Sequence, residues 1–184
     1  MTAFKRGLTL GRVTVRSETD ETDLAATGAT ALAVDAGALQ ALTSLGIAPG
    51  VIGPATLEGT TASFPITGGE SELDLDPALV RHSGGLSLTK GATVVRLTDF
   101  DIVLGGEAGP QLLASLNGGE EKVAILDLDL TGVTPAVQGR AITVPGVTAK
   151  LTTGAAQALN QAFGTTAFAA GLVLGKATVS ARGR

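Results

Sequence analysis

His82 is the single histidine of the chain, and the ordinary pKa of its ring suits it to acid–base chemistry near neutral pH. A hydrolase would pair this base with a hydroxyl nucleophile and an orienting carboxylate. Ser83 is adjacent in sequence, too close to complete a triad, whereas Asp74 or Asp76 could supply the carboxylate. The Ser-Gly-Gly turn after His82 favours a structural histidine that hydrogen-bonds its own turn, with the hydrolase as the alternative.

Pairs of carboxylates two residues apart recur along the chain, and this spacing places both side chains on one face of a strand. They occur in the run ESELDLD, which contains Asp74 and Asp76, and as Asp99 with Asp101 and Asp127 with Asp129. If such strands are neighbours, an oxygen-ligated cation such as Ca²⁺ would relieve the repulsion. The predicted ligands are Asp74, Asp76, Asp127 and Asp129, and the alternative is a solvated sheet face with no cofactor.

Several chemistries are excluded by residue types that the chain lacks. It has no cysteine, so disulfides and thiolate metal sites cannot form, and it has no tyrosine or tryptophan. The sequence contains no nucleophile elbow, phosphate-binding loop, dinucleotide fingerprint or metal-binding histidine pair. A net charge of -4 and only 5 phenylalanines argue against a nucleic-acid partner. The sequence therefore predicts a non-enzymatic protein that does not bind nucleic acid.

The segments that carry these residues alternate apolar and polar side chains, as antiparallel strands with one wet face do. Aromatic residues make up 3% of the 184 positions and hydrophobic residues 44%, so the core must consist of Val, Leu, Ile and Ala. Strands are predicted at residues 8–17, 28–34, 51–58, 61–67, 85–89, 93–104, 111–116, 122–130, 134–138, 141–151 and 172–181. The expected fold is all-β, an antiparallel β-sandwich or flattened barrel in one domain over residues 1–184.

Two of these strands have informative patterns. In residues 93–104 the apolar face changes between Leu97 and Phe100, which predicts a bulge or a break at that point. In residues 122–130 strict alternation places Leu126 and Leu128 in the core and Ile125 on the opposite face, together with the two aspartates.

Residues 35–45 and 152–163 break the β pattern and predict two short helices. Asp35 is a suitable N-cap for the first, and Gly46 and Gly164 are suitable stops. Both segments contain the pattern Gly-Ala-x-Gln-Ala-Leu, and a strand is expected before and after each helix. Residues 28–58 and 146–181 are therefore interpreted as two units of an internal strand–helix–strand repeat.

The opening segment GLTLGRVTV, residues 7–15, echoes GLVLGKATV at residues 171–179. A long opening strand, residues 7–17, could add to the sheet of a neighbouring subunit if the final strand leaves an edge there. The alternative is that it closes the sheet of its own domain and the echo records duplication. The residues expected to build an assembly are Leu8, Leu10, Val13, Val15, Leu172, Leu174 and Val179.

Other motifs carry a family resemblance. The segments Phe64–Gly69 (FPITGG), His82–Leu86 (HSGGL) and Leu159-Asn160 followed by Phe163-Gly164 resemble those of a family of exported bacterial β-rich domains. More distantly, the chain is similar to the HtaA domains of actinobacterial haem-uptake proteins. That resemblance implies a β-rich fold with two short helices and a haem held by a tyrosine with a histidine nearby. His82 would match the histidine, but this chain has no tyrosine.

Three functional hypotheses follow. The leading one is an exported or cell-surface structural protein that forms homo-oligomers or filaments through strand edges, because the chain has few charges and a high apolar content. The second is a carrier or binding module for a small apolar ligand or haem, and the third is the hydrolase. We expect neither a signal peptide nor a membrane span in this chain, and the cytoplasm is the alternative location.

Overall fold

The computed structural model describes residues 22–71, 78–105 and 107–183. The strands are β1 (Thr22–Val34), β2 (Ala48–Ile52), β3 (Thr56–Glu58), β4 (Thr61–Ser71), β5 (Ala78–His82), β6 (Gly85–Lys90), β7 (Thr93–Leu104), β8 (Gln111–Leu116), β9 (Lys122–Asp129), β10 (Ala136–Gln138), β11 (Ala141–Leu151) and β12 (Val173–Gly183). The helices are α1 (Ala36–Ser44) and α2 (Thr153–Phe163). The predicted all-β fold with two short helices is confirmed.

Eight strands close into an antiparallel barrel. Their order is β7, β5, β4, β1, β12, β11, β9 and β8, and the pairing of β7 with β8 closes the ring. The other four strands extend this barrel: β6 pairs with β7 and β2 with β6, while β3 pairs with β4 and β10 with β11. The flattened-barrel form of the prediction is therefore correct. The five-residue strand β5 was not predicted from the sequence, and β2 and β3 were predicted as one strand.

The bulge predicted in β7 allows this strand to pair with two different strands along one of its edges. Thr93–Thr98 pairs with β6, and Asp101–Leu104 pairs with β5. Between the two halves the register against β8 shifts, and Asp99 has a positive φ of 55°. Leu97 and Phe100 are both buried on the core side as a result. The change of face read from the sequence is thus confirmed.

The core lies inside the barrel and under the helices. It is built from aliphatic side chains of every barrel strand, with Phe64 and Phe100 meeting edge to face at a centroid distance of 5.0 Å. One detail of the predicted core is wrong, since Ile125 is buried together with Leu126. The register of β8 against β9 shifts between Leu112 and Leu113, and this irregularity turns two consecutive side chains inward.

Both helices follow a strand, as the repeat predicts, and α1 begins at the predicted cap. The Asp35 carboxylate accepts hydrogen bonds from the backbone N–H groups of Gly37 and Ala38, at 2.8 and 3.2 Å. Thr152 caps α2, and Gly164 ends it in the left-handed conformation. The strands after the helices differ, because β12 pairs with β11 of its own unit whereas β2 pairs with β6. In the described part of the chain, no helix is long and apolar enough to cross a membrane.

Candidate functional site

His82 is the last residue of β5 and lies buried, 5% exposed, beside Thr30 of β1 and Phe100 of β7. Its Nδ1 is 3.1 Å from the carbonyl oxygen of Phe100, and its Nε2 is 2.6 Å from the hydroxyl oxygen of Thr30. A carbonyl can only accept, so Nδ1 carries the proton, and Nε2 accepts from the Thr30 hydroxyl. Burial lowers the pKa of the His82 ring, although the Phe100 carbonyl and the Asp101 carboxylate oppose this shift.

The surroundings of His82 do not form a hydrolytic site within the described residues. Both ring nitrogens are occupied, by Thr30 and by Phe100, so neither is available to a serine hydroxyl or a carboxylate. The backbone N–H of Ser83 donates to the carbonyl of Pro65 at 3.0 Å, which fixes the turn after β5. At Gly84, where φ is 84°, a side chain would collide with the backbone of Ala55. The turn of the HSGGL motif therefore serves the fold here, but the prediction that His82 hydrogen-bonds its own turn is corrected, because the ring bonds to Thr30 of β1 and Phe100 of β7 instead.

The carboxylates of the acidic strand faces are hydrogen-bonded by side chains of neighbouring strands, and two of them are also paired with lysines. The Asp129 carboxylate accepts from the Lys150 ammonium at 2.8 Å, which holds the pKa of Asp129 well below its usual range. Asp127 accepts from the amide of Gln111 at 3.0 Å, and Asp101 accepts from Lys122 at 2.6 Å. Asp74 and Asp76 lie outside the described residues. The calcium site stays a prediction, and no group of three metal-ligating side chains occurs among the residues described.

The barrel encloses an apolar cavity of about 110 Å³. Aliphatic side chains from seven of the eight barrel strands line it, together with Phe100 of β7 and with Phe64, which is the contribution of β4. Thr30 is the one polar residue among the described residues of this lining, and its hydroxyl is directed to His82. A cavity without a free polar group does not stabilise water, so this space is suited to apolar atoms alone.

A larger opening of about 600 Å³ lies between α2 and strands β7, β8 and β9, and is called the α2 groove below. Its apolar lining consists of Gly154, Ala155, Ala158, Leu159 and Ala162 of α2 and of Val95, Leu97, Leu116, Val123, Ala124 and Ile125 of the strands. Its polar lining consists of Gln111, Asn117, Asp127, Thr152 and Thr153. Because the α2 residues facing the strands are mostly small, the helix leaves space over the sheet instead of filling it.

The start of α2 is hydrogen-bonded to β9, and these bonds fix the position of the helix that forms one wall of the groove. The Thr152 hydroxyl donates to the carbonyl of Ala124 at 2.8 Å and accepts from the N–H of Ala155 at 3.1 Å. The backbone N–H of Thr152 donates to the carbonyl of Ile125 at 3.0 Å. One threonine therefore caps the helix and ties its first turn to the strand that forms the opposite wall.

The end of α2 is fixed by the Leu-Asn motif that the family resemblance singled out. The Asn160 side chain donates to the carbonyl of Phe168 at 2.8 Å and accepts from the N–H of the same residue at 3.0 Å. The rings of Phe163 and Phe168, both buried, lie 6.4 Å apart. The motif thus anchors the connection from α2 to β12. Asparagine in a helix three residues before a phenylalanine was the available sequence signal for this anchor.

The residues expected to build an assembly fall into two groups. Leu8, Leu10, Val13 and Val15 lie outside the described residues. Leu174 and Val179 line the barrel cavity, and Leu172 is half-buried just before β12. Since β12 pairs with β1 on one side and β11 on the other, this strand leaves no free edge for a neighbour within one folded copy. Self-association stays a prediction, but the expected route through that edge is closed while β12 is in place.

Haem is the ligand that the HtaA resemblance implies, and the side chains present do not fit iron ligation. The whole chain has no tyrosine or cysteine, one methionine at position 1 and one histidine. That histidine is buried with both nitrogens hydrogen-bonded, and it does not line the α2 groove. No described residue of the groove is a histidine, methionine or tyrosine. An apolar macrocycle could contact these walls, but the walls offer no axial ligand.

Comparisons with known proteins agree with the fold. No protein-family model matches the chain, and no curated protein does. The C-terminal domain of HtaA from Corynebacterium glutamicum aligns with 88% of this chain and 99% of its own, with a TM-score of 0.63 at 16% identity. The haem-binding protein HtaB from the same organism aligns with 89% of this chain and 95% of its own, with a TM-score of 0.56 at 15% identity. A variant of the HtaA C-terminal domain, solved as a domain-swapped dimer, covers 79% of this chain and 90% of its own, with a TM-score of 0.55 at 14% identity. The chain is therefore similar in fold to the HtaA and HtaB domains.

Proposed function

We propose that this chain is a non-catalytic binding module that holds a small apolar ligand in the α2 groove. The mostly apolar lining of the groove carries the proposal, together with its volume of about 600 Å³, which lies within the range of small-molecule sites, roughly 300–1,000 Å³. The barrel cavity, at about 110 Å³, is smaller than that range. The similarity in fold to HtaB, which is named for binding haem, supports a binding role over a structural one.

The lining of the groove supports an uncharged or weakly charged ligand surface. Aliphatic and small side chains cover two walls, and polar residues lie among them. Asp127 is the one charged side chain among the described residues that line it, and Gln111 already donates to its carboxylate. No cation of this lining would neutralise an acidic ligand group, so such groups would have to face solvent.

A planar tetrapyrrole is one ligand of this kind, bound through its apolar faces alone. Since the groove offers no iron ligand, the affinity for a metal-free tetrapyrrole should equal that for haem. The same lack of a ligand separates this proposal from the haem site implied by the HtaA resemblance. An exported or cell-surface location is proposed with it, supported by the resemblance of the FPITGG and HSGGL motifs to those of exported domains.

The test is a titration of the full chain with Nile red, a neutral planar apolar dye, followed by its fluorescence. Ala158→Glu places a charge on an exposed helix position that lines the groove. Gln157→Glu places the same charge on the preceding residue, which does not line the groove. We expect the first variant to weaken binding by about tenfold or more, a change of about 1.4 kcal/mol, and the second to bind as the parent does.

Two results would contradict the proposal: the absence of saturable binding, or an equal loss in both variants. A parallel titration with protoporphyrin IX and haemin tests the ligand class. We expect dissociation constants within about threefold of each other, because iron contributes no bond to these walls. Haemin binding that is at least tenfold tighter, with the absorption change of an axial ligand, would show that an iron ligand is present after all.

A further inference from the structure

The barrel cavity and the α2 groove are separated by a single layer of side chains. Leu97 of β7 and Ile125 of β9 are buried, and each of them lines both spaces. β7 and β9 begin, and β8 ends, at the end of the barrel where β11 leads into α2. The groove therefore lies against this end of the barrel. We call Leu97 and Ile125, which stand between the groove and the barrel interior, the partition.

Both residues of the partition lie at irregular points of their strands. Leu97 comes just before the bulge of β7, where Asp99 has a positive φ. Ile125 faces inward at the point where β8 and β9 change register. Bulges re-aim side chains, and they are frequent at the rims of barrels and beside active sites. The position of the partition thus depends on two breaks in regular strand pairing at one end of the barrel.

The barrel cavity is suited to the apolar end of a narrow ligand. Thr30 is its one polar residue among those described, and the Thr30 hydroxyl already donates to Nε2 of His82. The cavity volume of about 110 Å³ corresponds to roughly four groups the size of a water molecule, at about 30 Å³ each. A methylene group has a similar size, so the end of an unbranched alkyl chain fits. A tetrapyrrole, by contrast, would occupy the groove alone.

The groove is suited to the rest of such a chain and to a neutral polar head. Gln111, Asn117 and Thr153 bring amide and hydroxyl groups to its lining. A hydroxyl head both donates and accepts, so it can form hydrogen bonds with either kind of group. Asp127 is the one charged side chain among the described lining residues, and its negative charge disfavours a carboxylate or phosphate head there.

We propose that the ligand of the α2 groove is a neutral single-chain amphiphile, such as a long-chain alcohol, whose chain end passes between Leu97 and Ile125 into the barrel cavity. The ligand class rests on the binding role proposed above for the groove. No strand has to separate, because rotamer changes of the two partition side chains join the spaces. The chain end then gains dispersion contacts with cavity walls that otherwise face empty space.

The first experiment locates the chain end in the unmodified protein by NMR. The chain has no tyrosine or tryptophan, so its phenylalanine rings are readily observed. Phe64 and Phe100 line the cavity, whereas Phe163 and Phe168 line neither space. With decanol labelled at its terminal methyl group, we expect nuclear Overhauser contacts from this methyl to the rings of Phe64 and Phe100. Decanol labelled at the carbon that bears the hydroxyl is the control and should show no such contacts.

The outcomes of this experiment separate the ligand class from the binding role of the groove. Contacts of the terminal methyl with groove residues alone would overturn the proposal, as would a failure of decanol to bind. Saturable binding of Nile red under the same conditions would show that the groove still binds apolar ligands. If neither decanol nor Nile red binds, both the ligand class and the binding role are wrong.

The second experiment measures how affinity grows with chain length, using alcohols from hexanol to dodecanol that displace Nile red. Each additional methylene that becomes buried should strengthen binding by about fourfold. Ala177 lines the cavity but not the groove, and Ala177→Leu adds three carbon atoms to this space. We expect the fourfold gain to stop about three carbons earlier in this variant than in the parent protein. Nile red should bind both proteins equally, because its fused rings do not enter the cavity.

Two further variants control this series. Ala33→Leu adds the same side chain at an exposed position of β1 and should leave the dependence on chain length unchanged. Ala149→Val makes a smaller addition to the cavity wall and replaces Ala177→Leu if that variant does not fold. With Ala149→Val the gain should stop about two carbons earlier than in the parent. An equal dependence on chain length in the parent and in a folded cavity-filling variant would overturn the proposal.

The route into the cavity is tested with Ala158→Glu, which changes the groove and not the barrel. We expect this variant to weaken the binding of decanol by about tenfold or more, as it does for Nile red. If only Nile red binding is weakened, decanol does not pass through the groove, and the passage between Leu97 and Ile125 is refuted.

Discussion

The hydroxyl oxygen of Thr30 lies 2.6 Å from Nε2 of His82, and both residues are buried inside the barrel wall. Thr30 belongs to β1 and His82 to β5, and β4 separates these two strands in the sheet. The ring also donates to the Phe100 carbonyl on β7. One neutral histidine thus connects three strands of the barrel, and the polar groups of this buried cluster satisfy each other.

Thr30→Val should destabilise the fold by about 1–3 kcal/mol, because it keeps the side-chain shape but leaves Nε2 of His82 buried without a donor. The measurement is urea unfolding followed by circular dichroism, since the chain lacks tryptophan and tyrosine. Thr178→Val, at a half-buried position of β12, is the matched control and should change stability by less than about 0.5 kcal/mol. Equal effects of the two substitutions on the free energy of unfolding would show that the hydrogen bond between Thr30 and His82 does not contribute the expected stability.

The same cluster should make stability fall as the pH drops below 6.5. In the unfolded chain His82 takes up a proton near its ordinary pKa of 6.5, whereas burial lowers its pKa in the folded barrel. The unfolded state therefore binds more protons in this range, and stability is fully present above pH 6.5 and lost towards the folded pKa. The slope can reach about 1.4 kcal/mol per pH unit for one proton.

The measurement for this pH dependence is the urea midpoint between pH 7.5 and pH 5.0. His82→Gln removes the titrating group and should remove the slope in this interval. The Asp129 carboxylate does not interfere, because its depressed pKa adds a stability that is lost only as the pH falls below 3.8. A parent protein with a flat profile, or a His82→Gln variant that keeps the slope, would contradict the assignment.

Local signals in the sequence predict much of this fold, and long-range pairings supply the rest. Asp35 and Gly164 mark helix ends through their own backbone chemistry, and the change of face between Leu97 and Phe100 marks a bulge. The partners of His82 lie 52 and 18 residues away, so no local pattern could identify them. Barrel closure could not be predicted from the sequence either, because it depends on which of many similar strands pair with one another.

The candidate site shows the same division. Alternation along β9 correctly places Asp127 and Asp129 on a polar face, but it does not identify the lysine and the glutamine that donate hydrogen bonds to them from adjacent strands. It misplaces Ile125, since the bulge that turns this side chain inward arises from the pairing with β8. The α2 groove could not be predicted from the sequence for a different reason. Small residues on a helix indicate either close packing or open space, and the sequence does not distinguish the two.

Asn160→Ala should destabilise the connection between α2 and β12. It removes both hydrogen bonds to the backbone of Phe168, which lie in a partly buried region, and the expected cost is about 1–3 kcal/mol. Gln161→Ala, at the next and exposed position of the helix, is the control and should cost less than about 0.5 kcal/mol. Amide hydrogen exchange of residues 164–172 should rise in the first variant alone. Unchanged exchange in that segment would refute the anchoring role of Asn160.

Asp101 and Lys122 should be strongly coupled, because their side chains are only 16% and 31% exposed and lie 2.6 Å apart. The second carboxylate oxygen of Asp101 is buried and has no partner among the described residues, so Lys122 supplies the charge compensation. Lys122→Met should cost about 1–3 kcal/mol by leaving the carboxylate unpaired. In the double variant Asp101→Asn with Lys122→Met, the loss of stability should be clearly smaller than the sum of the two single losses.

Asp99→Asn is the control variant. Asp99 is exposed and has a φ of 55°, which asparagine tolerates. Additive losses in the urea unfolding of this cycle would show that the pair contributes no coupling energy.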